Sequence, residues 1–144
     1  MATRRQFRIS PLDLKRNTAI GVMLPLGGTP IFKLSYTTEE QAISNLKNLL
    51  LTRKGERPFQ PLFGTDIYSI LFENITSDVE STLKESLTSD IRFWLPYVQI
   101  SKLEVVGERD KNTISISLNV RVNDIGANTP IVVNVSNQGN ISIV

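Results

Sequence analysis

Residues 51–65 read LTRKGERPFQPLFGT and lie between two helical patterns, so the rest of the chain is arranged around them. Gly55 predicts the end of the first helix, because glycine adopts the left-handed conformation at no steric cost. Pro58 and Pro61 then hold the chain in a stiff, extended path that cannot become helix. The stretch therefore predicts a loop of fixed shape.

The side chains of this loop combine apolar bulk with charge. Phe59 and Phe63 need a surface to bury against, so we expect them to fasten the loop to the helices. Glu56 and Arg57 then remain as the groups that are free to meet a partner. Two interpretations stay open, a well-packed connection and a partner-binding element.

The helix before the loop begins at a capping box, with Thr38 as the cap and Gln41 three residues later. Arg53 and Lys54 are predicted in its last turn, where the helix dipole favours cations. Its apolar residues recur at helical spacing and predict one buried face, formed by Ala42, Ile43, Leu46, Leu49 and Leu50.

Two further helices follow the loop. A short one covers residues 66–73, with Asp66 as a favourable charge at its N-terminus. A long one begins at a second capping box, Ser77 to Glu80, and ends before Pro96. The apolar face of the long helix consists of Val79, Leu83, Leu87, Ile91 and Trp94.

From Val98 onward the apolar residues alternate, which predicts strands. The strand over residues 98–106 has a phase slip between Ile100 and Leu103 that indicates a bulge. Residues 113–123 give the clearest strand, with one apolar and one polar face. A turn at 137–140 joins two final strands, whose apolar residues are Ile131, Val133 and Val135, then Ile141 and Ile143.

The predicted fold class is α+β, with two long helices and a short one packed on a C-terminal antiparallel sheet of three to four strands. We expect residues 1–18 to form a basic extended arm and residues 19–144 to form a single domain. Residues 19–36 are either a short hairpin or two extended segments. The arm carries five basic residues against one acidic residue, Asp13, over residues 1–16. It is interpreted as a solvated terminus or as a contact for an acidic partner, and nucleic acid is not expected, because no aromatic stacking pattern accompanies the charge.

The composition excludes several classes of chemistry. The 144 residues contain neither cysteine nor histidine, which removes disulfides, thiolate metal sites and the commonest general base. No apolar run is long enough to span a membrane. Glu56, Asp66 and Glu73 are the nearest approach to a carboxylate pair, but Lys54 and Arg57 on either side of Glu56 favour its ionised form. We therefore expect no enzyme, no cofactor and no metal site.

The order of residues in and around the loop resembles a known family. Residues 45–58 (NLKNLLLTRKGERP), 61–65 (PLFGT) and 71–73 (LFE) are similar to the baseplate wedge family of contractile-tailed phages, which also contains a type VI secretion baseplate component. Residues 19–22 and 36–41 resemble the phage branch. The similarity extends over residues 19–122.

The resemblance implies a structural subunit of the virion tail baseplate, assembled in the host cytoplasm. Its implied partners are other wedge subunits, the tail sheath protein and tail tube proteins, with no membrane. The sheath is expected to add strands at the last hairpin, through Ile131, Val133, Val135, Ile141 and Ile143. Some family members are called lysozyme-like, so a peptidoglycan-degrading hydrolase is the alternative.

The family often carries a glutamate-proline-arginine triplet after the second long helix, used for docking to the baseplate core. Here the position reads Leu95-Pro96-Tyr97, so only the proline is retained. Docking at this place would be more apolar, through Leu95 and Tyr97, with Arg92 as a candidate charge. The full set of predicted docking residues is Arg53, Lys54, Glu56, Arg57, Phe59, Phe63, Arg92, Leu95, Pro96 and Tyr97.

Overall fold

A computed structural model of the chain describes residues 13–15, 17–24, 26–70, 77–108, 113–122, 129–136 and 141–143. Helices precede an antiparallel sheet, which confirms the α+β class. No helix within these ranges is both long and apolar enough to span a membrane. The elements in chain order are β1 (Gly21–Val22), β2 (Leu34–Ser35), α1 (Thr38–Leu51), α2 (Ile67–Ile70), α3 (Ser77–Trp94), β3 (Val98–Glu108), β4 (Thr113–Val122), β5 (Thr129–Ser136) and β6 (Ile141–Ile143).

The main sheet is four-stranded and antiparallel, in the order β3-β4-β5-β6. The register of β3 on β4 shifts between Ile100 and Lys102, which confirms the predicted bulge. β5 and β6 pair antiparallel, with Val133 opposite Ile143, which confirms the last hairpin. The predicted turn at 137–140 lies outside the described residues.

One face of the sheet and one face of each long helix form the core. Along strand β4 every second side chain is buried, namely Ile114, Ile116, Leu118, Val120 and Val122. The helical faces predicted from spacing are confirmed at Ala42, Leu46, Leu49, Leu50, Leu83, Leu87 and Ile91, with Ile43, Val79 and Trp94 partly buried against them. The period of the apolar residues decided these faces, since burial of apolar area is the main favourable term in folding.

Helix α1 begins and ends at different residues from those predicted. Its capping box uses Thr37 and Glu40 rather than Thr38 and Gln41. The backbone N–H of Thr38 donates instead to Asp13 Oδ1 at 2.7 Å. The helix ends at Leu51, so the prediction that Arg53 and Lys54 occupy its last turn is wrong. Threonine occupies both positions, and the contact of Thr38 with Asp13 involves a residue far away in sequence.

The N-terminal segment forms a hairpin, which resolves the alternative left open by the sequence. Strands β1 and β2 pair antiparallel, with Gly21 opposite Ser35. Ser35 is fully buried and its hydroxyl donates to Gln41 Oε1 on helix α1. A Cβ on Gly21 would collide with the Gln41 side chain, so the glycine permits this close approach. Buried Ser44 donates to the carbonyl oxygen of Val22, which fixes the hairpin on α1.

Candidate docking surfaces and sheet edges

The loop after α1 is closed by backbone hydrogen bonds into a fixed shape. The N–H of Gly55 donates to the carbonyl oxygen of Pro61 at 2.7 Å. Gly55 has a φ of +88°, but it lies in the loop, four residues after the last residue of α1, and does not end the helix. The predicted fixed shape is thereby confirmed, although its glycine closes a loop rather than capping a helix.

Two successive β-turns inside the loop each place a proline second and a large apolar residue third. In the first turn the N–H of Gln60 donates to Arg57, and in the second the N–H of Phe63 donates to Gln60. Proline at the second position of a turn presets the backbone angle that the turn requires. The third residues are Phe59, 98% exposed, and Leu62, 75% exposed. The prediction that Phe59 fastens the loop to the helices is therefore wrong.

The far end of the loop returns to the end of α1. The N–H of Thr65 donates to the carbonyl oxygen of Thr52 at 2.9 Å, and Arg53 and Thr65 form a parallel bridge. Gly64 has a φ of +125°, and a Cβ there would lie 2.5 Å from the Thr52 carbonyl oxygen. Only glycine allows the two backbone segments to approach this closely.

Lys54 connects the loop to both later helices. Its Nζ lies 2.7 Å from Asp66 Oδ2 and 2.8 Å from Asp90 Oδ2. Burial of Lys54 lowers its pKa, but Asp66 and Asp90 together outweigh burial, so the pKa is raised above the usual lysine value. Ser86 also donates to Asp66 at 3.2 Å. Asp66 lies directly before α2, as predicted, whereas Lys54 lies after α1 and pairs with Asp66 and with Asp90 of α3.

Phe63 provides the apolar attachment of the loop. Its ring meets Trp94 edge-on at 5.2 Å, and Trp94 in turn meets Phe93 at 5.0 Å. The guanidinium carbon of Arg57 lies 4.0 Å from the centre of the Phe63 ring, in cation–π geometry. The attachment predicted for Phe63 is confirmed, whereas Arg57 is stacked rather than free.

Glu56 is also engaged inside the loop. Its Oε2 accepts the N–H of Arg53 at 3.0 Å, so one oxygen of this exposed carboxylate is used inside the loop. Of the other two carboxylates considered for catalysis, Asp66 pairs with Lys54, and Glu73 lies outside the described residues. Within the described part of the chain, no group of three or more acidic residues is placed to hold a metal ion.

The segment after α3 divides into buried and accessible residues. Leu95 is 6% exposed and belongs to the core, which overturns its prediction as a docking residue. Arg92, Pro96 and Tyr97 are accessible. The Tyr97 hydroxyl accepts a hydrogen bond from Asn45 Nδ2 at 3.1 Å, so its ring is held against α1.

Two further large apolar side chains, Leu62 and Phe93, are exposed near the loop and were not among the predicted docking residues. Leu62 repeats the position of Phe59 in the second turn, and the repeated spacing of proline then apolar residue was a usable signal. Phe93, 73% exposed, adjoins Trp94 and extends the same apolar surface. We call Phe59, Leu62, Phe93 and the stacked Arg57–Phe63 pair the loop surface. Arg92 directly precedes Phe93 on α3, whereas Pro96 and Tyr97 lie after the end of the helix.

The strand-addition residues occupy two different positions in the sheet. Strand β5 is paired on both sides, and the side chains of Ile131 and Val133 are buried in the core. β6 forms the edge, and its pairing with β5 is defined by the backbone. The side chains of Val135, Ile141 and Ile143 lie outside the described part of the structure.

The sequence profile of a protein family matches residues 37–126, more than half of the chain. The match begins at the α1 cap and includes the loop, α3, β3 and β4. The chain belongs to the baseplate wedge protein gp25 family. The β1–β2 hairpin lies before the matched residues, and the β5–β6 hairpin lies after them.

Comparison with known proteins agrees with this membership. The wedge family chain is 32% identical over 81 residues to baseplate wedge protein gp25 of Enterobacteria phage T4. The match covers 56% of this chain and 61% of that protein, so the chain spans about three fifths of its relative.

Solved structures share the fold of this wedge family chain. A putative tail lysozyme from Geobacter sulfurreducens superposes with a TM-score of 0.61 at 19% identity, over 69% of this chain and 91% of that one. The baseplate of the anti-feeding prophage superposes with a TM-score of 0.58 at 18% identity, over 70% of this chain and 81% of that one. The type VI secretion baseplate complex superposes with a TM-score of 0.54 at 14% identity, over 72% of this chain and 91% of that one.

Proposed function

We propose that the protein is a structural wedge subunit that docks to the inner baseplate of a contractile tail and offers a strand edge from which sheath assembly begins. The observation that carries the proposal is the sheet order, which leaves β6 at an edge of the sheet. Membership of the wedge family supports a place in the virion baseplate, and assembly in the host cytoplasm is part of the proposal. Its partners in this proposal are other wedge subunits, the sheath protein and tail tube proteins.

The loop surface is the proposed docking element. Its turns hold Phe59 and Leu62 in the solvent. Covering these apolar side chains with a partner would lower the free energy of the complex. Arg57 within the loop surface, and Arg92 directly before Phe93 on α3, add positive charge, which favours a partner with an acidic rim. Because the loop is already closed by hydrogen bonds, little conformational entropy remains to be lost on binding.

The β6 edge is the proposed site of strand addition. In an antiparallel ladder, backbone groups alternate between the two neighbours, so the groups of Ile141 and Ile143 that do not face β5 are open to an added strand. Residues 129–144 contain no charged side chain that would oppose such pairing. The edge is therefore suited to receiving a strand of the sheath protein.

Deletion of residues 137–144 tests the proposal. We expect a folded protein that enters baseplates but does not nucleate sheath, as seen by electron microscopy of assembled particles. Ile143→Pro is a finer variant, because it removes one outward N–H, and Ile143→Val is its matched control. Normal sheath growth from baseplates that contain the deletion would refute the strand-addition role.

A peptidoglycan hydrolase is the competing function. The fold similarity to a putative tail lysozyme is the observation behind it, whereas the engagement of Glu56 and Asp66 in structural contacts opposes it. Turbidity measurements on peptidoglycan, with Glu56→Gln as the control, separate the two. Lysis that is lost in the control would favour the hydrolase.

A further inference from the structure

The sheet has two outer strands, and strand addition at the wrong one would misdirect assembly. β3 is the other edge strand, and it is much longer than β6. Long edge strands are templates for unwanted pairing, and natural proteins restrict them with bulges, charges or covering groups. The contacts at β3 show which of these devices is present.

A helix side chain reaches the outer edge of β3. Glu80 on α3 accepts the backbone N–H of Gly107 through Oε1 at 3.1 Å. Gly107 lies opposite Ile114 of β4, yet its N–H is directed away from β4 toward Glu80. The alternation of the antiparallel ladder then places the backbone groups of Leu103 and Val105 on the same outer edge.

An added strand would have room at this edge. A groove of about 350 Å³ runs between α3 and residues 103–106 of β3, and Glu80 lines it. A cleft between a helix and an edge strand is a common place for an extended peptide to bind. The Glu80 carboxylate occupies one of the backbone donors that such a peptide would need.

Two further features restrict the same edge. The register shift between Ile100 and Lys102 interrupts regular pairing at the beginning of the strand. Lys102 and Glu104 form an exposed ion pair at 2.8 Å, so they place charges along its middle. By contrast, the β5–β6 region is uncharged in sequence.

We propose that Glu80 guards the outer edge of β3 by occupying the Gly107 N–H, and so directs strand addition to β6. This inference rests on the proposed function for its biological meaning, but the guard itself is a property of the isolated protein. A glutamate at this helix position is thus a residue that determines where a partner strand pairs.

The test compares Glu80→Ala with Glu80→Gln, because the glutamine retains an acceptor oxygen and loses only the charge. Amide hydrogen exchange at Gly107 should be about tenfold faster in Glu80→Ala, and close to wild type in Glu80→Gln. Sedimentation velocity should show concentration-dependent self-association of Glu80→Ala alone. Unchanged exchange in Glu80→Ala, or equal self-association of both variants, would overturn the guard.

A second variant locates the association. Val105→Pro removes an outward N–H without removing a donor to β4, so Glu80→Ala combined with Val105→Pro should return to a monomer. Val105→Pro alone should melt cooperatively as a monomer, which controls for folding. Persistent self-association of the folded double variant would place the contact elsewhere and refute the proposal. These results do not depend on sheath, so they are separate from the outcome of the 137–144 deletion.

Discussion

The ammonium group of Lys54 lies 2.7 Å from Oδ2 of Asp66, the residue directly before helix α2. Lys54 also reaches Asp90 on α3, so one cation connects the start of the loop to two later elements. Both carboxylates would lose their shared cation if Lys54 were replaced. The shape of the loop surface therefore depends on the charge of Lys54.

Replacing Lys54 with methionine should destabilise the protein by about 1–3 kcal/mol, because Asp90, only 16% exposed, would keep a charge without this cation. Urea unfolding measures the change. Lys102→Met is the matched control, since the Lys102–Glu104 pair is exposed and should contribute less than about 1 kcal/mol. Equal effects of the two substitutions would contradict the structural role of Lys54.

Stability should fall at alkaline pH through the same lysine. The pKa of Lys54 is raised in the folded protein, so its contribution is complete below the usual lysine value of 10.5 and is lost as pH rises through the folded pKa. Burial and then the charge of Glu56 raise the pKa of Tyr68, which acts in the same direction. The unfolding free energy of wild type should therefore fall more steeply than that of Lys54→Met as the pH rises above the usual lysine value of 10.5. Parallel curves would exclude the lysine contribution.

Gly64→Ala should be among the most damaging single substitutions in the loop. The new Cβ would lie 2.5 Å from the Thr52 carbonyl oxygen, and the φ of +125° is unfavourable for alanine. We expect a loss of about 2–4 kcal/mol by thermal or urea unfolding. Gly27→Ala is the control, because no atom lies within 4 Å of its added Cβ. A wild-type melting temperature for Gly64→Ala would show that the two segments can separate without cost.

Phe59 and Phe63 should separate docking from stability. Phe59→Ala should change the unfolding free energy by less than about 0.5 kcal/mol, because the ring is 98% exposed, and should weaken co-purification with other wedge subunits. Phe63→Ala should cost about 2–4 kcal/mol through lost contact with Trp94 and the core. Undiminished co-purification of Phe59→Ala would remove this side chain from the docking element.

The order of elements could be predicted because each depends on local periodicity. Leu83, Leu87 and Ile91 recur at helical spacing, and Ile114 to Val122 alternate, so each set has one buried face whichever partner covers it. The bulge near Ile100 was visible as a change of phase. Boundaries were less accessible, because Thr37 and Thr38 are chemically equivalent caps and Asp13, far away in sequence, contacts the second.

The surroundings of the predicted docking residues could be predicted only in part, for a related reason. Phe59 and Phe63 have the same side chain, four positions apart, and sequence gives no sign that one ring faces solvent while the other meets Trp94. Leu95 was predicted as a docking residue, but its side chain is part of the core. In each case the outcome depends on which distant residue occupies the adjacent space.

The sequence alone was enough to predict residues 51–65 as a stiff loop between helices, because proline fixes its own φ angle and glycine adopts positive φ without steric cost wherever they occur. It also determined that an alternating, uncharged segment ends the chain. Tertiary structure alone decided that Lys54 joins Asp66 and Asp90, that Phe59 remains in solvent, and that Glu80 reaches Gly107. Backbone restriction is local and can be derived from residue type, whereas ion pairs and exposure require segments far apart in sequence to meet.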